Sequence, residues 1–158
     1  MDTTDLAALV PALMAAHPHC RWTLSPAPVP GADLVLDIRP QAWPDRIATV
    51  RVNAGAEVFA LDFAGHCGHD FAYDDESRPE VLRERIDLAV RAVTGPTRVI
   101  RDSTAAGRTV RSVLLLDHGR PQELRELVTV PFARLRALFT GQRVGRETID
   151  FPGSAAAA

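Results

Sequence analysis

The chain contains no lysine, and all 18 of its basic Lys/Arg side chains are arginines among 158 residues. They are scattered among 20 acidic residues, so that the formal net charge is −2. Arginine suits bidentate recognition of carboxylate or phosphate, but a compositional bias of the coding genome explains the same absence of lysine. Because no basic block occurs, the sequence predicts no binding to nucleic acid.

Cysteines and long apolar runs are also scarce. Cys20 and Cys67 cannot form a disulfide framework, so we expect free thiols in a reducing compartment. No apolar run approaches the ~20 residues that a membrane-spanning helix needs, and the first residues lack the basic segment of a secretion signal. These absences predict a cytoplasmic protein without a membrane partner. No glycine-rich phosphate loop, dinucleotide fingerprint or nucleophile elbow occurs, so no cofactor is predicted.

What the sequence does contain is typical of an ordinary globular domain. Hydrophobic residues make up 46% of the chain and charged residues 24%, and a chain of this length buries a core without disulfides or metal. We therefore predict a single α+β domain over residues 1–150. The alanine run near the end predicts a flexible tail over residues 151–158.

Alternating apolar residues predict five strands. Alternation places successive side chains on opposite faces of a sheet, with one face buried. A connection with the sequence NAGA predicts a hairpin, because Asn and Gly tolerate positive φ. The predicted strands are residues 32–38, 46–53, 57–63, 97–103 and 108–117.

Two helices are indicated by apolar residues at helical spacing and by signals at their ends. The first covers residues 4–17, with Thr4 as its cap and Pro11 as a cause of a kink or a late start. The second begins at Ser77 and Glu80, which have the spacing of a capping box, and ends before a Gly-Pro pair. Its apolar stripe leaves the arginines, Arg85 included, on the outside.

A third helix is predicted over residues 122–139, because apolar side chains recur there at helical spacing. The remainder, up to the tail, is predicted to be irregular or a short edge strand. The resulting order is α-β-β-β-α-β-β-α. Hairpin-length connections favour an antiparallel sheet, and the alternation favours helices packed on one face of it.

One short stretch, with the sequence HCGHD, is the densest group of chemically active side chains. Its residues are His66, Cys67, Gly68, His69 and Asp70. Imidazole, thiolate and carboxylate are zinc ligands, and a thiolate beside an imidazole is a nucleophile. The stretch therefore gives an alternative prediction, a small metal-dependent or cysteine hydrolase. The ligand spacing does not match a zinc motif, and we interpret the stretch as a solvated loop between a strand and a helix.

Arginines on the last two predicted strands form a second group. Arg98, Arg101 and Arg111 are candidate contacts with an acidic partner, at the rim of the sheet face opposite the helices. The other interpretation of these arginines is a solvated rim. A small-ligand pocket between a helix and the sheet is a further alternative.

The element order resembles that of type III secretion chaperone-like domains, a family that includes secretion chaperones and domains of toxin-immunity systems. The similarity lies in the amphipathic DLAALVPALMAAH, the three strands after it, SRPEVLRERIDLAVRAVTG, the following hairpin and the closing helix. It covers residues 4–140 and carries no catalytic signature. The resemblance implies a non-enzymatic adaptor that holds or neutralises another protein, of secreted-effector or toxin type, often as a homodimer.

Overall fold

The structure is a computed structural model that describes residues 1–25, 32–53, 55–130 and 143–153. These residues form an α+β fold, as the sequence predicts, with two helices and nine strands. In chain order the elements are α1 (Thr3–Ala15), β1 (Cys20–Ser25), β2 (Ala32–Pro40), β3 (Ala48–Asn53), β4 (Val58–Phe63), β5 (His66–Phe71), α2 (Arg78–Thr94), β6 (Thr97–Thr104), β7 (Thr109–Leu116), β8 (Leu124–Thr129) and β9 (Val144–Phe151).

The strands form two antiparallel sheets rather than the single sheet that the sequence predicts. Sheet A has the order β1-β2-β3-β4-β5, in which each strand pairs with its neighbour in sequence. Sheet B has the order β8-β7-β6-β9, so the last strand lies beside β6 at the edge opposite β8. The expectation of one sheet is wrong because four strands are not among the five predicted ones, and these four complete or extend both sheets.

Alternation along the strands separates a buried face of sheet A from a polar face. In β3, Ala48, Val50 and Val52 are buried, and the residues between them are half-buried. Phe59 and Leu61 extend the apolar face onto β4, opposite Val52 and Val50. The opposite face is polar, with ion pairs and hydrogen bonds among its side chains.

Helix α2 connects the two sheets within one core. It contacts β2, β3 and β4 of sheet A, and also β6 and β7 of sheet B. Ile86 and Val93 are fully buried and belong to the same apolar cluster as Val99 of β6 and Leu114 of β7. The first helix, α1, adds its own buried stripe to this cluster and contacts α2.

The N-terminal ends of both helices differ from the predicted caps, whereas α2 ends before the Gly-Pro pair as predicted. Asp2, not Thr4, caps α1: its side chain accepts hydrogen bonds from two backbone amides of the first turn. Helix α1 continues through Pro11 without a break. Ser77 precedes α2 but makes no side-chain cap, so the predicted capping box with Glu80 is absent. Ser77 is instead engaged by the preceding turn, where its amide donates to the Asp74 carboxylate at 2.8 Å.

The predicted third helix and the predicted loop are both corrected by the structure. Residues 124–129 form β8, a strand, and the rest of the predicted helix from residue 131 lies outside the described residues. The HCGHD stretch is strand β5, not a loop. The region predicted to be irregular or a short edge strand contains β9, which is an edge strand of sheet B. Its last residue, Phe151, packs on Phe63 with ring centroids 4.8 Å apart. The ordered fold thus extends past the predicted boundary at residue 150, and residues 154–158 lie outside the description.

Neither of the two described helices is both long enough and apolar enough to cross a membrane.

Candidate functional site

Strand β5 places the side chains of the HCGHD stretch on two opposite faces of sheet A. His66 and Asp70 point toward the side on which α2 and sheet B lie, where they contact Glu126 and Arg85. Cys67, between them in sequence, lies on the polar face. Alternation along a strand makes this division unavoidable. No group of three or more His, Cys, Asp or Glu side chains in the described part of the chain is placed to hold a metal ion.

Cys67 lies in an environment that keeps its thiol protonated. Burial, followed by hydrogen bonding with the Asp62 carboxylate, raises the pKa of Cys67 to about 11. Arg51 opposes this effect, since its guanidinium lies 3.6 Å from the sulfur, but it is already bound to Asp62 at 2.6 Å. His69 Nε2 is also 3.6 Å from the sulfur. A catalytic thiol needs the opposite shift, so the geometry gives no support to the cysteine-hydrolase alternative, which stays a prediction.

His66 is fully buried between the two sheets and is bonded at both ring nitrogens. Its Nδ1 lies 2.9 Å from Ser112 Oγ on β7, and its Nε2 lies 3.3 Å from Glu126 Oε2 on β8. An ionised carboxylate only accepts hydrogen bonds, so in the neutral imidazole Nε2–H donates to Glu126 and Nδ1 accepts from the Ser112 hydroxyl. A single side chain from sheet A thus satisfies two polar groups of sheet B.

Arg85 completes this buried network from α2. The guanidinium donates to Glu126 Oε1 at 2.7 Å and to Asp70 Oδ2 at 3.0 Å, and the residue is 6% exposed. Burial alone would raise the pKa of Glu126, but hydrogen bonds from His66 and Arg85 outweigh it and hold that pKa below its ordinary value. We call the five side chains of His66, Asp70, Arg85, Ser112 and Glu126 the interior network.

The interior network links a serine, a histidine and a glutamate as a catalytic triad does, but it has neither the nitrogen assignment nor the accessibility of one, because Ser112 bonds Nδ1 and Glu126 bonds Nε2 of His66. In such triads the serine oxygen must reach a substrate carbonyl. Here Ser112 is 2% exposed and His66 is not exposed at all, so a substrate does not reach the hydroxyl. The arrangement satisfies buried polar groups and joins β5, α2, β7 and β8.

The outer face of sheet B, opposite the face that joins the core, has a different character. A row of apolar side chains crosses three strands there, because Ile100 is paired with Val113, and Val113 with Leu127. Leu127 is 51% exposed. Ile100 and Val113 of this row line a depression of about 310 Å³. We call this surface the outer face of sheet B.

Four arginines flank the apolar row. Arg98 and Arg125 lie on one side of it, at positions paired with Leu115, while Arg111 and Arg146 lie on the other side, at positions paired with Asp102. The carboxylates of this surface are those of Asp102 and Asp150 on the strands and of Glu123 at its edge.

Two of the four arginines have no close carboxylate of their own. Arg98 is held by Asp150 through two hydrogen bonds of 2.5 and 3.0 Å. Arg146 is held in the same way by Asp102, at 2.7 and 3.0 Å. Arg111 reaches Asp102 only at 3.9 Å. The fourth, Arg125, is exposed and forms no ion pair with any residue in the described ranges. The surface therefore offers guanidinium donors to an acidic group from outside.

The three arginines singled out from the sequence do not share one surface. Arg98 and Arg111 lie on the outer face of sheet B, as a binding surface opposite the core requires. Arg101 lies on the inner face, where it is ion-paired with Glu147 and packs so closely on Gly65 that a Cβ there would lie 1.9 Å from its Nη1. The sequence could have shown that Arg98 and Arg101 lie on opposite faces, because residues three positions apart on a strand point in opposite directions.

Arg125, Arg146 and Leu127 were not among the sequence candidates. Arg125 and Leu127 lie in the segment predicted to be a helix. Arg146 lies in the segment predicted to be irregular or a short edge strand. No family model matches the chain, and searches of curated proteins and of solved structures found no match either.

Proposed function

We propose that this chain is a non-enzymatic adaptor that holds or neutralises a partner protein, and that the outer face of sheet B makes the contact. One observation carries the proposal: the apolar row from Ile100 to Leu127, in which Leu127 is 51% exposed and Val113 is buried, is flanked by arginines, of which Arg111 and Arg125 lack a close carboxylate. Such a surface fits a segment that alternates acidic with apolar side chains, because apolar contact supplies affinity and charge complementarity supplies register.

The composition of the surface supports a protein partner rather than a nucleic acid. Arginine is enriched in protein interfaces and forms bidentate bonds with carboxylates. The arginines of this surface are interspersed with carboxylates and flank an apolar row, unlike the continuous basic stripe that follows a phosphate backbone. The chaperone-like resemblance stays a prediction, and the proposal rests on the surface itself. The proposal includes a partner protein of effector or toxin type and a homodimer of the chain itself.

The test is recovery of a partner from the native host with a tagged chain. We expect one stoichiometric protein bound by the wild type. The double change Arg111→Glu and Arg125→Glu should reduce its recovery at least about tenfold, because two charge contacts at a rim become repulsive. Arg83→Glu is the matched control, since this arginine is 53% exposed on α2, away from the surface, and it should leave recovery unchanged.

Two results would contradict the proposal. One is reproducible recovery of the chain alone, as a monomer by light scattering. The other is equal recovery of the partner by the wild type and by the double variant, which would place the contact elsewhere on the molecule. A dimer that the double variant dissociates would identify a second copy of the chain as the occupant of this surface.

A further inference from the structure

A second concave site lies at the boundary between the two sheets, away from the outer face of sheet B. It is a cleft of about 510 Å³, which falls within the ~300–1,000 Å³ typical of small-ligand sites. Three segments enclose it. The first runs from Pro40, the last residue of β2, to Trp43. The others are the C-terminal end of α2, at Thr94 and Gly95, and the turn between β7 and β8.

The basic side chains of this cleft outnumber its carboxylates. Arg91 donates through Nε and Nη2 to one oxygen of Asp117, at 2.9 and 2.6 Å. Arg120 reaches the other oxygen only at 3.6 Å and is 46% exposed. A single carboxylate, itself 13% exposed, thus faces two guanidinium groups. His19 also lines the cleft.

Trp43 supplies an aromatic wall. The guanidinium of Arg46 lies 4.0 Å from the centre of the indole ring. Arg46 forms no ion pair with a carboxylate in the described ranges, and burial lowers its pKa. Its Nη1 instead donates to the Val93 carbonyl at 3.4 Å. Pro40 and Ala42 add apolar surface beside the indole.

We infer that this cleft binds a small anion carried on a planar ring, such as an aromatic carboxylate or an aromatic phosphate. The excess of guanidinium groups favours a negative charge, and arginine binds carboxylate and phosphate through two parallel hydrogen bonds. Arg120 is the group with unused donors, because Asp117 is already occupied by Arg91. The indole and the proline offer a flat apolar surface for the ring. This inference is independent of the proposed function.

The experiment follows the indole N–H signal of Trp43 in a ¹H–¹⁵N spectrum of the full chain, assigned with a Trp22→Phe variant. Four probes are titrated: benzoate, phenyl phosphate, acetate as the anion without a ring, and benzyl alcohol as the ring without an anion. We expect saturable shifts with benzoate or phenyl phosphate, and at least about tenfold weaker binding of the two partial probes. The comparison of the first two distinguishes a carboxylate ligand from a phosphate ligand.

Arg120→Gln should weaken binding of the ring anion at least about tenfold, because a charge-assisted hydrogen bond is lost. Since Arg120 is nearly half exposed, the variant should fold, and its spectrum verifies this directly. Arg83→Gln, on the exposed side of α2, should bind like the wild type. The inference is overturned if neither ring anion shifts the Trp43 signal at millimolar concentration, or if Arg120→Gln binds as tightly as the wild type.

Discussion

Arg85 is one of two residues, with His66, that link the two sheets through buried polar contacts. Its guanidinium joins a carboxylate of sheet A, that of Asp70, to a carboxylate of sheet B, that of Glu126. Removal of one member of a buried ion pair leaves the other charged and unsatisfied, which is costlier than the pair itself is favourable. The cost of a change at Arg85 therefore falls on Glu126, which is 17% exposed, rather than on Asp70, which is 42% exposed and accessible to water.

We predict that Arg85→Met lowers the free energy of unfolding by about 3–5 kcal/mol, the usual cost of breaking a buried pair. Urea unfolding followed by circular dichroism measures it. Arg83→Met, two positions away in the same helix but half exposed, should change stability by less than about 1 kcal/mol. Equal effects of the two substitutions would show that burial of Arg85 contributes nothing to stability.

Single residues also show what the sequence could and could not reveal about the candidate site. The prediction places Arg85 outside the apolar stripe of the second helix because the residue is charged. Its spacing from Leu82, Ile86 and Ala89 nevertheless puts it on the buried side of that helix. Spacing alone could have located it. Its partner Glu126 could not have been located, because that residue reaches the network only through a strand that the sequence did not indicate.

At the scale of elements, β5 carries a glycine that the interior network requires. A Cβ at Gly68 would lie 2.2 Å from Glu126 Oε1 and 2.4 Å from its Cδ. Arg85 and His66 both hold that carboxylate, so it cannot move away without breaking hydrogen bonds. Glycine at this position allows β8 to approach β5.

Gly68→Ala should therefore destabilise the fold by about 1–3 kcal/mol, the cost of forcing an extra methyl group into a packed site. Gly145 provides the control: it also lies in a strand, β9, but has open space where a Cβ would be. Gly145→Ala should be neutral or slightly stabilising. Thermal or urea unfolding measures the stability of the two variants. If Gly68→Ala left the free energy of unfolding unchanged, Glu126 would not be held in place.

The strands with an entirely apolar buried face are among those that the sequence predicted. Strands β3 and β4 are of this kind. Strand β5 was not predicted, because its inward positions, such as His66 and Gly68, are polar or lack a side chain. In β8 the inward residues alternate as Leu124, Glu126 and Val128, so the buried carboxylate interrupts the period. The other apolar residues of this segment then recur at a helical spacing, which is why the sequence predicted a helix there.

At the scale of the whole molecule, the interior network makes stability depend on pH. The pKa of Glu126 in the folded protein lies below its ordinary value of 4.5, because hydrogen bonds from His66 and Arg85 outweigh burial. A carboxylate of this kind stabilises the fold fully above its unfolded-state pKa, and the contribution is lost as the pH falls through the folded-state pKa.

We predict that the stability difference between the wild type and Glu126→Gln shrinks as the pH falls below about 4.5, the ordinary pKa of this group. Urea unfolding at a series of pH values measures the difference. Glu80→Gln, which removes an exposed carboxylate paired with Arg83 on the surface of α2, should show a much smaller change. A difference that stays constant through the acid range would contradict the assigned role of Glu126.

The strand order of sheet B also determines the order in which the fold can assemble. In sheet A each strand pairs with its neighbour in sequence, so that short loops close at little entropic cost. In sheet B, Arg98 meets Asp150 across 52 positions, and pairings between distant segments form slowly. We therefore expect β6 and β7 to dock on sheet A and α2 before β9 joins. In that order of assembly, the edge of β6 that pairs with β9 is open to mispairing until the last strand arrives.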